Sequence, residues 1–320
     1  MDVYFSLKYT DETNLTIYSN HTLAAAVQLL PYHIVCQGYV LPSGYISGLA
    51  TATAFRGQGF ASRLLDEAHR RLFSQNAALA FLIPASEELR AFYAQRHHGA
   101  YHTVSYRRES SFLLPQNYKT VPSITIHRLD KPSHDVYRWY SEQIKNSLQV
   151  VCASERDFEA AILAGNLPGG TVLVATRCHQ PVGLCISARE SDARCFVRTL
   201  MAADNEVEAA LLNYLSVEHN VREVWMRRAS SPVDSAPYVM ARVAHVERFL
   251  DIISKAYPTT TLHFGVQDDL SNPQNNGFYI LEGGHWQRTQ HVANVIWTPG
   301  ELAAHFISQH PLQAEMLLDE

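Results

Sequence analysis

Residues 46–65, ISGLATATAFRGQGFASRLL, constrain this chain more than any other stretch. An apolar, β-prone run from Ile46 to Thr53 leads into Arg56-Gly57-Gln58-Gly59-Phe60-Ala61. Phe60, Leu64, Leu65, Ala68 and Leu72 then recur at helical spacing. Strand, glycine turn and helix start together predict an anion site. Glycines let the backbone approach a phosphate closely, and the first free N–H groups of a helix point at it. Arg56 adds a charged fork beside the turn.

Three phosphate loops share this outline. The Walker loop ends in Gly-Lys-Ser/Thr, and residues 57–63 contain no such ending. The dinucleotide fingerprint asks for a third small residue, which Ser62 would supply, and for an acidic ribose partner about 20 residues on. No candidate strand-end acid follows here. The third pattern, Arg-x-x-Gly-x-Gly/Ala, is met by Arg56, Gly59 and Ala61. In this pattern the chain resembles motif A of the GNAT superfamily of N-acetyltransferases. The resemblance implies that the loop, Arg56 to Ala61 with Gly57, Gln58 and Phe60, holds the pyrophosphate of acetyl-coenzyme A.

The likeness continues downstream. Residues 78–84, ALAFLIP, predict a second buried strand, and Ser86-Glu87-Glu88 opens a helix carrying Leu89, Phe92 and Tyr93. By match of position, the family implies that the Tyr93 hydroxyl protonates the departing thiol of coenzyme A. It further implies that the backbone of Leu49, Ala50 and Thr51 faces the pantetheine arm, with Ser86 in the cofactor-binding set. There are two departures. Thr53 stands where the family commonly has proline, and His97 and His98 stand where it has glycine followed by an aromatic.

At 320 residues the chain exceeds one ordinary core and suggests two or three domains. With 47% apolar and 18% charged residues it has the composition of a soluble globular protein. Its net charge of −5 argues against a nucleic-acid partner, which would need a basic surface. Cys36, Cys152, Cys178, Cys185 and Cys195 are odd in number and lack paired spacing, so they read as reduced thiols of a cytoplasmic protein. No apolar run approaches the roughly 20 residues of a membrane span, and Met1-Asp2 leads directly into VYFSLKY without a signal peptide. The histidines show no metal-binding spacing, so no metal is expected; His97, His98 and His102 form the only cluster. Asp268 and Asp269, adjacent and therefore pointing apart in an extended chain, read as turn-forming.

The first unit is expected as a helix end at Val3–Tyr9, then strands at 15–19, 23–29, 33–41 and 45–53, with breaks at Leu30-Pro31 and Pro42-Ser43-Gly44. Helix 58–74, strand 78–84, helix 87–95 and a last strand pair near 100–114 complete it. A GNAT domain normally opens with a further strand, which here is missing. Residues 115–123, PQNYKTVPS, read as a linker. A second unit then repeats the order: helices at 133–147 and 155–164, strands at 171–177, 181–189 and 194–202, helix 205–219, strand 222–228. Its loop, Ala203-Asp204-Asn205-Glu206, has neither glycine nor arginine, and its carboxylates suit a helix start but would repel a pyrophosphate. Beyond Tyr238, a helix reached through Ala241–Leu250, a strand at 261–266, the turn-rich Ser271–Gly277, strands at 278–281 and 293–298 and a helix at 299–308 are expected. This segment resembles the sterol-carrier-protein-like domain that closes acetyltransferases of the enhanced-intracellular-survival type.

The sequence therefore predicts an α+β protein of mixed sheets flanked by helices. Its division is a catalytic GNAT domain (1–116), a degenerate GNAT-like domain (124–236) and a sterol-carrier-protein-like domain (238–320). The expected activity is acetyl-coenzyme A-dependent N-acetylation of a small-molecule or peptide amine, and the apolar surface of three small domains adds a homo-oligomer to the expected partners. The alternative is a non-catalytic GNAT scaffold that binds a lipid or small molecule. In the resembled family the terminal carboxylate serves as general base, which assigns that role to Glu320.

Overall fold

The computed structural model describes residues 10–113, 121–190 and 194–314. The expected helix at Val3–Tyr9, most of the expected linker and the tail carrying Glu320 lie outside the described residues. In chain order the first elements are β1 (Asn14–Ser19), β2 (Thr22–Cys36), β3 (Tyr39–Thr51), α1 (Phe60–Ser74), β4 (Leu79–Leu82), α2 (Glu87–Ala94), β5 (His102–Thr103) and β6 (Tyr106–Leu113). There follow β7 (Thr125–Arg128), α3 (His134–Lys145), β8 (Gln149–Cys152), α4 (Glu155–Gly165), β9 (Gly170–Arg177), β10 (Gln180–Arg189), β11 (Cys195–Ala202), α5 (Asn205–His219) and β12 (Glu223–Ser230). The last are β13 (Ala236–Pro237), β14 (Met240–Val243), α6 (Val246–Ala256), β15 (Leu262–Val266), β16 (Gly277–Glu282), β17 (His285–Thr289), β18 (Val295–Trp297) and α7 (Pro299–Ile307).

The expected helices at 58–74, 87–95, 133–147, 155–164, 205–219 and 299–308 all form, with small shifts at their ends. The strands before the glycine loop differ from expectation. Two long strands, β2 and β3, replace three shorter ones, and both expected breaks lie inside strands. Pro31 is tolerated because β1 pairs with β2 no further than Gln28 and β8 joins only from His33, so no neighbour on that edge needs its missing N–H. Gly44 is no turn residue either. It lies where Leu72 of α1 presses on β3, and a Cβ there would collide with that side chain. The actual turn is Gln37-Gly38, both at positive φ (52° and 79°), the two-residue geometry that matches strand twist.

The strand pair expected near 100–114 is also divided. The first sheet runs β1-β2-β3-β4-β14-β5, with β8 on the far end of β2, whereas β6 belongs to a second sheet ordered β13-β6-β12-β11-β10-β9-β7. The place beside β4 is taken by β14, from the chain beyond the second sheet. Both β4 and β14 are four-residue runs buried at every position, as a central strand covered on both faces must be. β6 has one buried residue, Arg107, with the rest partly or fully exposed, and pairs with β12 over eight residues.

One face of the first sheet packs on α1 through Leu64, Leu65, Ala68 and Leu72. The other face is covered by α6, α7 and a third, four-stranded sheet ordered β17-β16-β15-β18, through Phe249, Phe264, Tyr279 and Phe306. In the second sheet, α3 and α4 cover one face and α5 the other. Asp269 is no mere turn residue: fully buried, it pairs with Arg242 of β14 at 2.7 Å.

Candidate active site

β3 and β4 run parallel and are bonded only from Ser43 to Tyr45 against Leu79 to Phe81. Past that point they part. β3 continues for six residues, and Gly48, at φ +61°, makes a bulge where the register against β2 slips between Ala26 and Gln28. The bulge turns the backbone of Leu49, Ala50 and Thr51 into a cleft of about 640 Å³ opened by the divergence.

At one end of the cleft the chain leaves β3 through a single 3₁₀ turn, Thr53–Phe55, and enters the glycine loop. Gly57 and Gly59 both lie at φ +77°, a conformation that favours glycine. A Cβ on either would meet no atom within 4 Å, so space lies open in front of the loop. Gly59 is also the N-cap of α1. No side chain caps this helix, and its first turn carries no acidic residue. The leading N–H groups of α1 therefore face the opening with their partial positive charge uncompensated. Arg56 stands beside them, its Nε donating to the Thr51 carbonyl at 3.3 Å.

The cleft's other wall is α2. Ser86 caps this helix by accepting from the Leu89 N–H at 3.3 Å, and Leu89, Phe92 and Tyr93 line the cleft. Tyr93 is the buried residue of α2. Burial raises the pKa of its phenol, so the hydroxyl keeps its proton at neutral pH. After α2 the chain makes the 3₁₀ turn Arg96–His98 and passes through Gly99 at φ +109°. His98 stacks on Phe92 with ring centroids 3.7 Å apart, its Nδ1 3.1 Å from the Phe92 carbonyl. Burial lowers the His98 pKa, favouring the neutral ring.

Of the residues expected to hold a cofactor, Leu49, Ala50, Thr51, Arg56, Gly57, Gly59, Phe60 and Ala61 line this cleft together with Tyr93. Gln58 and Ser86 are outside its lining; the Gln58 side chain turns back to the Ala54 carbonyl at 3.4 Å. Phe55, Ser62, Leu89, Phe92 and His98 also line it and were not in the expected set. The motif displaced by the His97-His98 pair was the available signal for His98. Among the described residues no group of three His, Cys, Asp or Glu side chains is placed to hold a metal. Nor is any helix among them long and apolar enough to cross a membrane.

The second sheet repeats the divergence without the anion site. β11 and β12 are bonded only from Cys195 to Val197 against Val224 to Met226. A cleft of about 560 Å³ opens beyond, bounded by Thr199–Ala202, α3 and His310–Gln313. At the start of α5, however, Asp204 accepts from the Val207 N–H at 2.9 Å and receives Arg177 at 3.0 Å. That helix start is satisfied by its own carboxylate.

The acetyltransferase (GNAT) domain family matches residues 3–98. No curated protein matches the sequence. Among solved structures, the GCN5-related N-acetyltransferase of Anabaena variabilis is similar at 17% identity, over 97% of this chain and 83% of that one, with a TM-score of 0.78. A conserved Enterococcus faecalis protein described as a probable N-acyltransferase is similar at 17% identity, over 92% and 79%, with a TM-score of 0.74. Eis1 of Mycobacterium abscessus is similar at 13% identity, over 96% and 85%, with a TM-score of 0.68. These likenesses extend the shared fold across all three sheets. Residues 3–98 thus match a GNAT acetyltransferase domain, and that match supports acyl transfer as the chemistry.

Proposed function

We propose that the protein is an acetyl-coenzyme A-dependent N-acetyltransferase that moves the acyl group directly to an amine. One observation carries this reading: two glycines at positive φ, with open space before them, lie at an uncapped helix N-terminus where two parallel strands part. A scaffold without a phosphate ligand has no need of that combination, and the corresponding helix α5 is closed by Asp204. The open space at Gly57 and Gly59 fits a pyrophosphate, and the neighbouring cleft fits an extended amide chain. Acetyl-coenzyme A would supply the activated acyl group and a thiolate leaving group.

The chain's own residues then have distinct tasks. Backbone N–H groups of Gly59, Phe60 and Ala61, with the Arg56 guanidinium, bind the phosphates. The bulged backbone of Leu49–Thr51 orients the acyl arm and offers N–H groups to the carbonyl oxygen. Tyr93, its proton retained by burial, gives that proton to the departing sulfur. We assign the base to the carboxylate of Glu320. The described chain before it is fixed at Gln313, whose carbonyl accepts from the Val151 N–H at 2.8 Å, and at Ala314, whose carbonyl accepts from buried Arg107 at 3.0 Å. Six residues follow, a reach of at most about 20 Å.

The acceptor is an amine of small molecules or peptides, and the protein acts in the cytoplasm. The division into 1–116, 124–236 and 238–320, with a sterol-carrier-protein-like third unit, belongs to the same proposal. Thermal shift with acetyl-coenzyme A, followed by thiol release with a polyamine, an aminoglycoside and a peptide N-terminus, tests it. Stabilisation with release supports the enzyme; stabilisation by lipid alone, without release, favours the scaffold. Deleting residues 317–320 should lower turnover at unchanged cofactor affinity, and full activity in the truncated chain removes Glu320 from the mechanism.

A further inference from the structure

α2 is a poor platform for a proton donor. It has eight residues, and isolated helices of that length are marginal in water. Tyr93 is its one buried side chain, so its placement depends on contacts from outside the helix. Tyr101 supplies them: its N–H donates to the Tyr93 carbonyl at 3.0 Å, and the two rings meet edge to face at 6.0 Å. The Tyr101 hydroxyl bonds to Nε2 of buried His69 in α1 at 2.9 Å. Nδ1 of His69 bonds in turn to the Ser271 hydroxyl at 3.1 Å, and Ser271 donates to Asp66 at 2.8 Å.

A second tie reaches the same turn. Arg242 donates to the Gly99 carbonyl at 3.0 Å, between Tyr93 and Tyr101, and is itself held by Asp269 at 2.7 Å. Asp269 also accepts from Asn275 at 2.8 Å. Gly99 is wedged as well, since a Cβ there would come within 2.6 Å of His69 and 2.8 Å of Tyr101. Two paths from the loop 269–275, one through His69 and Tyr101 and one through Arg242 and Gly99, end on the segment that carries Tyr93.

We propose that the loop 269–275 of the C-terminal segment is a positioning device for Tyr93, acting through Ser271, His69 and Tyr101. The inference rests on Tyr93 being the proton donor. It gives the loop 269–275 a part in the chemistry of a cleft that none of its residues lines. Tyr101 and Ser271 are positioning residues: neither lines the cleft, and their hydroxyls bond to His69 and Asp66.

The test uses the full chain with Tyr101→Phe, which deletes one hydroxyl and keeps the ring, and with Ser271→Ala. Each should lower kcat about tenfold, because displacements well under 1 Å are costly at a reacting centre, and leave the Kd for acetyl-coenzyme A unchanged. In a Tyr93→Phe background neither should lower kcat further. With ¹³C-labelled tyrosine, the ring resonance of Tyr93 should shift in both variants, a readout that needs no acceptor. Wild-type turnover in Tyr93→Phe would overturn the proton-donor reading and this inference with it. A slow Tyr93→Phe beside wild-type turnover and an unmoved resonance in Tyr101→Phe and Ser271→Ala would overturn the positioning role alone. A further full loss in the Tyr93→Phe background would do the same. If Tyr101→Phe fails to fold, Ser271→Ala decides.

Discussion

Gly59→Asp separates the cost of a side chain in the glycine loop from the cost of a charge. Gly59 sits at φ +77°, and a Cβ there would meet no atom within 4 Å. The folding penalty is therefore confined to the backbone, about 1–2 kcal/mol for a non-glycine residue in the left-handed region. Gly59→Ala has that same penalty and adds a methyl group in front of the α1 N–H groups. Gly59→Asp adds a carboxylate as well. A unit charge about 4 Å from a phosphate is repelled by about 1 kcal/mol at the dielectric of water and about 4 kcal/mol at that of a protein surface. The loop is exposed, so the expected excess loss of Asp over Ala lies between these, roughly fivefold to several-hundredfold in Kd. Isothermal titration with acetyl-coenzyme A at low and high salt measures it, and thermal unfolding checks that the two variants are equally stable. Equal affinities for Gly59→Ala and Gly59→Asp would refute the charge argument. Wild-type affinity in Gly59→Asp would move the anion site elsewhere.

Arg56→Ala should weaken acetyl-coenzyme A binding by about 1.5–3 kcal/mol if its phosphate bond is charge-assisted, and titration should also show a shallower salt dependence than in the wild type. Tyr93→Phe should lower turnover about 10²-fold or more with affinity nearly kept. Because burial raises the Tyr93 pKa, its protonated form persists above the ordinary phenol value; a kcat profile should show no loss from Tyr93 ionisation until beyond about pH 10. Asp269→Asn strands the buried Arg242 charge and should destabilise the protein by about 3–5 kcal/mol in denaturant titration.

The loop and helix of the site were legible because their signals are local. Arg56, Gly57 and Gly59 announce an anion turn within a few residues, and the apolar spacing from Phe60 to Leu72 needs nothing beyond α1 to be read. The strands were harder. Pro31 and Pro42-Ser43-Gly44 look like breaks, yet they are harmless inside β2 and β3 because of which edges have neighbours and where α1 lies. The actual turn, Gln37-Gly38, lacks the Asn-Gly or Asp-Gly signature of such hairpins. Ser86, expected among the cofactor-binding residues, caps α2 and lies outside the lining of the cleft.

Local sequence thus determined that a strand, a glycine turn and an amphipathic helix would form one anion-binding unit, since backbone freedom and helical period act over a few residues. Tertiary structure decided how that unit is completed. Nothing near Met240–Val243 says that this strand will lie between β4 and β5, or that Tyr106–Leu113 will leave the first sheet for the second. Pairing partners are chosen by burial on both faces and by register over long separations, which no short window of sequence contains. For the same reason the clamp from Asp269 and Ser271 to Tyr101 could not be read from the chain. Its members lie up to 205 positions apart along the sequence and meet only because the C-terminal segment folds back onto the first sheet.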